Sequence, residues 1–594
     1  SFTDAMNHTT QFELDALSRI TKQTDALNRV TTITRDANGN PLTITQPNGE
    51  VFVMTYDAKG NLLTFFEQLR NTTTTFTYEP NFNQLTSVTA PLGNKVEFTY
   101  DVRGNPIQIK DGLNRITALT YDSRGLMTSV QPPIGDSTTF TYDTQGRVVT
   151  RTVGPGPTAS TSTFSYDARG NAISVTDPLN RTVGLTYDGL DRLLTQTLPD
   201  LQNIQYMYDA NGNVTGITPP GRPTHNLIYN AVNSKEEYRP PDLGAISTPT
   251  HYTYDPNKDL LQIRRPDAQT IDLLYDAGRR VNRITIPGGT YQYTYHPTTG
   301  NLTTITAPDN GTLTYGYAGA LVSSTTWAGT ISGSVTRTYD QNRRLTSLGV
   351  AGETPISFGY DPNNRMTQAG ALSLNRNQNG LITGTAFGSV TDTRAYSARN
   401  EISRYTATVN NSTQVLDVQY TRDRLGRIVQ KIETIGGTTE TYDYTYDLAG
   451  RLTDAMRNGA VVAHYTYDSN GNRLTQTTQT GTVNGTYDSQ DRLTQYGNLQ
   501  FTYTTNGELL TKSNPTLGQA ASFVYDVLGN LRSATLPGGT QIDYAIDGLN
   551  RRIGKKVNGV LVQGFLYQDQ INPVVELDGT GAIVSRFVYA TKPN

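Results

Sequence analysis

Tyr followed by Asp returns along this chain about every 21 residues, at Tyr100, Tyr121 and Tyr142, at Tyr166, Tyr187 and Tyr208, at Tyr254 and Tyr275, and at Tyr446 and Tyr467. A short fixed period means that one small unit is stacked many times, so the chemistry of the unit decides the architecture. The phase outlives the dipeptide. Leu14 and Arg35 precede Tyr56 in step, and Tyr525, Ile546, Tyr567 and Tyr589 follow in step. Counting degenerate members such as Tyr78, Tyr229, Arg376 and Arg422, about 28 copies run from Leu14 to Tyr589. Residues 1–594 therefore read as a single array. It is degenerate over 1–34, regular over 35–360 with a Pro-rich loop insertion at 219–244, irregular over 361–445, and regular again over 446–594.

From Asn105 to Gly125 the unit reads NPIQIKDGLNRITALTYDSRG. Two short runs of β-branched and apolar residues are separated by DGLN at 111–114 and closed by DSRG at 122–125, so each repeat is predicted to be a β-hairpin. In the Tyr-Asp turn the Asp carboxylate is placed to accept backbone N–H groups two or three residues on, and Gly supplies positive φ. The structural triads predicted on this basis are Tyr56, Asp57 and Gly60; Tyr100, Asp101 and Gly104; Tyr121, Asp122 and Gly125; Tyr142, Asp143 and Gly146; Tyr166, Asp167 and Gly170; Tyr208, Asp209 and Gly212; Tyr446, Asp447 and Gly450; Tyr467, Asp468 and Gly471; and Tyr525, Asp526 and Gly529. Asn or Arg often follows the Gly, as at Asn61, Asn105 and Asn171. The opposite turns are looser, as in PNGE at 47–50, PLGN at 91–94 and DPLN at 177–180.

Alternation assigns the faces. In VEFTYD, Val96, Phe98 and Tyr100 share one side while Glu97 and Thr99 share the other, and Phe140 with Tyr142 repeats the rule. One face is apolar and aromatic; the other is mainly Thr, Gln and Arg. Two strands per repeat give roughly 54 strands, whereas open twisted sheets rarely exceed about ten without curling. With no helical segment to cover it, the sheet must coil on itself. The expected fold is all-β, one continuous array of antiparallel β-hairpins coiled into a spiral tube or hollow shell. The aromatic face would either line the lumen or be matched by neighbouring coils.

Composition excludes several functions. Net charge is −3 with no basic tract, which argues against nucleic acid and anionic membranes. No run approaches the roughly 20 apolar residues of a spanning helix. Zero Cys removes disulfides and thiolate metal sites. The pattern is already running at Ser1 and still running at Asn594, which reads as an excerpt, and no signal peptide is visible.

The strings SYDARGN at 165–171, TYDSNGN at 466–472, TYDSRGL at 120–126 and TYDLAGR at 445–451 resemble the YD repeats of the RHS family, which includes bacterial polymorphic toxins, the C component of Tc toxin complexes and the animal teneurins. The resemblance covers essentially the whole chain. It implies a hollow β-shell in which hairpins spiral around a C-terminal toxin domain, so the implied partners are toxin cargo and an RHS core, with a delivery-system protein or a glycan as further candidates. Residues 576–594, ELDGTGAIVSRFVYATKPN, are similar to the segment that leads into that core. The family's self-cleaving DPxGxxxG-type motif is not matched: Asp177, Asp255 and Asp361 precede Pro without the following glycines, so no autoproteolytic residue is carried over. The implied location is secreted or at a bacterial cell surface.

No catalytic, cofactor-binding or metal residue is assigned. His8, His225, His251, His296 and His464 are scattered, without HExxH spacing. DSNGN around Asp468 offers several oxygen ligands but lacks the loop length and distal Glu of an EF-hand, so turn capping is the simpler reading of Asp101, Asp122 and Asp468. Exposed Tyr ladders would suit stacking on sugars, but sheet packing explains their regularity. Asn7, Asn71, Asn213, Asn301, Asn310, Asn411 and Asn484 sit in N-x-[ST] sequons, which arise readily in a Thr-rich sequence. Trp327, the only Trp, reads as packing. The leading function is a non-enzymatic encapsulating scaffold, with an adhesion or carbohydrate-binding repeat protein as the alternative. A polysaccharide hydrolase needs paired carboxylates in a cleft, and carboxylates outside the turns are sparse.

Overall fold

The computed structural model describes residues 1–244, 247–410 and 412–590. They form a 56-stranded antiparallel β meander in which strands follow in chain order, each pairing with the one before and the one after. The sequon at Asn411 and the last four residues of the 576–594 segment lie outside the described residues. The repeat from 105 to 125 shows the unit: strand Pro106–Lys110 pairs with Ile116–Tyr121, which pairs with Met127–Gln131.

Each hairpin carries a β-bulge at the Tyr. In the hairpin of Lys95–Tyr100 with Pro106–Lys110, Thr99 faces Gln108 and Tyr100 faces Pro106, leaving Ile107 as an extra residue. The same shift recurs at Tyr142, Tyr275 and Tyr467, and at the degenerate positions Leu14, Arg35 and Ile546. A bulge bends its strand and raises local twist. This bulge, repeated at the Tyr end of hairpin after hairpin, bends the ribbon in one sense and makes it coil; four further bulges, at Thr408, Met456, Lys556 and Leu577, lie towards the opposite turns.

Contacts between coils give the pitch. Ala5 meets Asn257, Leu92 meets Asn342, Arg115 meets Asn377, Arg181 meets Leu448 and Arg265 meets Val527, at separations of 252, 250, 262, 267 and 262 residues. A turn of about 250 residues holds roughly 24 strands, which at about 4.8 Å each make a circumference of ~115 Å and a tube ~37 Å across the sheet. The chain makes roughly 594/250, or ~2.4, turns.

The aromatic face is the concave one. Leu345, Tyr360, Arg376 and Tyr396, which share this face on successive hairpins, all border one cavity. Towards the C-terminal end the coil tightens. The separations drop to 220 for Trp327–Asp547 and 231 for Arg337–Gln568. Here the strands Arg552–Val557, Val560–Tyr567 and Pro573–Asp578 lie inside the preceding coil, with their Thr-type face against the concave face of Leu321–Ala328 and Gly333–Tyr339. The residue just before Tyr shows the difference. Val524 and Leu274 are 58% and 45% exposed in that position, whereas Leu566 is 2% exposed. It packs with Ile305, Leu313, Trp327, Val335 and Val575 in the main buried cluster. Thus the aromatic face lines the lumen over most of the wall and is covered by the next coil over the last part.

The Pro-rich stretch 219–244, read from sequence as a loop insertion around one degenerate hairpin, packs against the next coil through Pro220 and Pro241. It contains a regular hairpin, His225–Tyr229 with Lys235–Arg239, and its Pro241 carbonyl accepts from Gln490 Nε2 of the next coil at 2.7 Å. Prolines remove ladder donors but suit a seam turn, which is where they lie. In the weakly periodic region the 16-residue step to Arg376 is a hairpin shortened by the tight turn at Gly370, and the 26-residue step to Arg422 reflects the long strands Ile402–Val409 and Thr413–Arg422.

Candidate functional site

The functional surface of such a molecule is its wall, so the site is built from the repeated Tyr, Asp and Gly and from the seams between coils. The Tyr hydroxyl straps each hairpin to the one before. Tyr56, Tyr100, Tyr142, Tyr208 and Tyr467 donate to the carbonyls of Pro41, Leu85, Met127, Leu193 and Leu452, each 15 residues back, at 2.6–3.0 Å. Tyr166 and Tyr446 reach Val148 and Ile428, 18 residues back. Tyr121 and Tyr525 occupy the same place without such a bond. Where Arg replaces Tyr, the guanidinium does the same work: Arg35 donates to Ile20, Arg376 to Met366 and Arg422 to Ile402. Burial raises the Tyr56, Tyr100 and Tyr121 hydroxyls above their ordinary pKa, and pushes Tyr291 and Tyr315 up to about 12, so the phenols stay protonated donors.

The Asp carboxylate closes the turn. In the Tyr142 repeat, Asp143 Oδ1 accepts the N–H groups of Gln145 and Arg147, and Oδ2 accepts Arg147 Nε at 2.7 Å. Asp57 does the same with Lys59 and Asn61, and Asp101, Asp122, Asp167, Asp209, Asp447, Asp468 and Asp526 each accept the N–H four residues on. The side-chain hydrogen bond from Asn61, then its backbone N–H, holds Asp57 below the usual carboxylate range, and Asn105 does so for Asp101. The nine triad glycines have φ between 81° and 98°, a region a Cβ disfavours.

A third lock joins successive repeats. The Arg that follows the turn lies over the Tyr ring of the next repeat, as Arg147 over Tyr166 at 4.6 Å, Arg192 over Tyr208 at 4.7 Å and Arg427 over Tyr446 at 4.3 Å. These rings have their hydroxyl bonded and one face covered, which leaves them poorly placed to stack on sugars.

The seams use a residue outside the Tyr-Asp-Gly triad, the second after the turn Asp or after the Asn377 and Thr504 that stand in its place. Asn257, Asn363 and Asn506 donate across the seam to Asp4, Asp111 and Asp267, and Asn342 and Asn379 bond Leu92 and Ile134 of the coil before. In the first coil the same position holds Lys59, Arg103 and Arg169, which reach sideways to the next turn on the rim, at Pro80, Ser123 and Gly189. A short amide recurs at this position in docked turns, although Asn211 and Asn470 use it sideways, towards Asn233 and Asp491 of the neighbouring turn. At the inner end the seam is a buried ion pair: Arg551 and Asp547 meet at 2.6 Å, Trp327 Nε1 donates to Asp547 at 3.2 Å, and Arg551 lies over the Trp327 and Tyr567 rings.

The other singled-out residues have local partners. His8 and His464 meet Asp4 and Asp454, His225 meets the Tyr238 hydroxyl, His251 faces Glu237, and His296 takes the Asp place in its turn, accepting from Thr298 and Thr299. Among the described residues no group of three or more His, Cys, Asp or Glu is gathered as a metal would need. Asn213 is a turn residue bonded to Asp209.

The coiled hairpin wall defines a class, the β-shell built from YD repeats. The model of the Teneurin YD-shell family matches residues 109–576, and that of the RHS repeat matches 35–64 and 81–116. The chain belongs to the Teneurin YD-shell family. Teneurin-1 of Gallus gallus is 27% identical over 358 residues, 57% of this chain and 13% of that protein, and Teneurin-4 of Homo sapiens is 30% identical over 302 residues, 47% of this chain and 10% of that protein. The tRNA nuclease WapA of Bacillus subtilis (strain 168) is 28% identical over 150 residues, 24% of this chain and 6% of that protein. The chain therefore spans about an eighth or less of the length of these relatives. Among solved structures, the crystal structure of TcdB2-TccC3-TEV superposes with a TM-score of 0.62 at 12% identity over 97% of this chain and 43% of that one. The Photorhabdus luminescens Tc holotoxin pore does so with a TM-score of 0.57 at 12% identity, over 97% and 42%. At that identity the likeness is one of fold, and the fold is that of the Tc toxin shell.

Proposed function

We propose that this chain is the wall of a non-enzymatic container, exported or displayed by a bacterium, that keeps a C-terminal toxin domain enclosed until delivery. The observation that carries the reading is the concave aromatic face, half-buried and turned to a lumen on the order of 10⁴ Å³, room for about a hundred residues at protein packing density. The nested C-terminal strands support it, because Tyr589 and Ala590 border the same lumenal cavity as Tyr360. A polypeptide joined there starts inside the wall. The non-enzymatic part rests on the carboxylates, which are mostly committed to turn caps.

The test is a fusion. A small reporter domain joined after Asn594 should be cleaved by a general protease at least ten times more slowly than the same reporter free in solution, with cleavage restored when the wall is opened by denaturant. Equal rates for fused and free reporter contradict the container. The family match keeps an adhesion reading as the second choice, and saturable binding on a glycan array, lost when inner-face Tyr residues become Ala, would favour it. The Arg-covered rings argue against that outcome.

A further inference from the structure

Thirteen turns of this chain carry Asp and Arg at the spacing D-x-x-x-R, and in twelve of them the Arg pairs with its own Asp. The thirteenth is Asp361 with Arg365. Only the Arg365 backbone N–H reaches Asp361, at 2.9 Å. Its side chain turns away against Gly380, and Nη1 is buried with no hydrogen-bond partner among the described residues. One nitrogen withheld from water without a partner is costly, and the planar fork of the half-buried guanidinium is matched best by a carboxylate or a phosphate.

Arg365 borders the lumenal cavity, of about 800 Å³, with Phe358, Tyr360, Met366 and Tyr396 as its apolar floor. The other cations there are engaged. Arg376 donates to the carbonyls of Met366 and Gly380, and Arg394 pairs with Asp392. Asp569 also lines the cavity; burial works to raise its pKa, but hydrogen bonds from Asn572 and Ile571 outweigh it and hold the carboxyl below the usual range. With the other two arginines engaged and a carboxylate already in the lining, the recess suits a single negative charge and disfavours a phosphate dianion. The apolar floor asks that this charge be carried on an apolar body. The wall already includes Tyr589 and Ala590, so polypeptide reaches the cavity.

We propose that this recess is a binding site for a carboxylate side chain in an otherwise apolar stretch of polypeptide, with Arg365 as the residue that grips the carboxylate. The site rests on the container reading and deepens it, giving the lumen a point of attachment for an enclosed chain. The carboxylate takes a two-pronged hydrogen bond from the Nε–Nη2 edge of Arg365, on the side away from the sealed Nη1, while Tyr360 and Tyr396 flank the neighbouring apolar side chains.

The experiment is a fluorescence-anisotropy titration of the full 594-residue chain with a rhodamine-labelled, amidated peptide Leu-Leu-Glu-Leu-Leu. Saturable binding is expected, weakened at least tenfold by Arg365→Gln and unaffected by Arg147→Gln on the first coil. The same peptide with Gln in place of Glu should bind the unaltered protein at least tenfold more weakly, a comparison that does not depend on how any variant folds. Equal binding by Arg365→Gln, equal binding of the Gln peptide, or no saturable binding overturns the proposal. Displacement of the peptide by inorganic phosphate at lower concentration than by acetate overturns the carboxylate assignment. If the fused reporter is protected and the peptide does not bind, the recess fails and the container stands; the reverse result removes the container and leaves a peptide site.

Discussion

At the scale of single residues the repeat is a set of three locks, and each can be removed separately. Tyr142→Phe deletes the 2.6 Å bond to Met127 while keeping the ring. The expected cost is about 1 kcal/mol, local to the two hairpins it joins, and should speed amide exchange there about fivefold while distant hairpins are unchanged. Acid should act on the turn caps. Asp57 and Asp101 have folded pKa values below their unfolded ones, so they contribute stability above about pH 4, and that contribution is lost as pH falls through the depressed folded values. The melting temperature should therefore drop between pH 5 and pH 3; a flat profile would show that the caps add little. Tyr, Asp and Gly were legible as turn residues from period and chemistry alone. The carbonyl each hydroxyl seeks was not, because it lies in another hairpin and any residue type supplies it. Nor was the failure of Arg365 to pair, since DPNNR at 361–365 reads like the twelve turns that do.

At the scale of hairpins, strand positions followed from alternation, whereas the bulge that bends each one left no mark beyond the Gly-Asn or Gly-Arg step facing it. The seam is where sequence says most once the geometry is known. Asn363→Ala removes the 2.7 Å bond to Asp111 and should loosen that seam by about 1 kcal/mol, seen as faster exchange in both turns, while Lys59→Ala on the free rim leaves coil docking unchanged. The inner layer depends on glycines where other repeats have larger residues. A Cβ at Gly564 would stand 2.6 Å from Ile331 Cδ1, so Gly564→Val should separate the layers and expose 545–590 to protease, with the first coil still resistant. Leu566→Ala should have the same sense at a cost of about 2–5 kcal/mol. Sequence hinted at this layer through apolar residues on the Thr face, in GFLY at 564–567 and VVEL at 574–577, but alternation alone does not say which surface covers them.

At the scale of the molecule, a coiled all-β shell was foreseeable because so many strands in one meander must curl. The turn of about 250 residues was not, because pitch is the sum of many small bulge and twist angles and no motif repeats at that length. The lumenal face was also open, and the structure answers it in two ways, aromatic face inward along the wall and nested against the final coil at the end. The central claim is a hollow spiral with its C-terminal strands inside. Single-particle electron microscopy of the purified chain tests it most directly. The expected image is a tube wall ~37 Å across at the sheet, completing a turn every ~250 residues, with inner-layer density beneath residues 305–358. A straight ribbon, a solid rod, or C-terminal strands on the outer surface would contradict it.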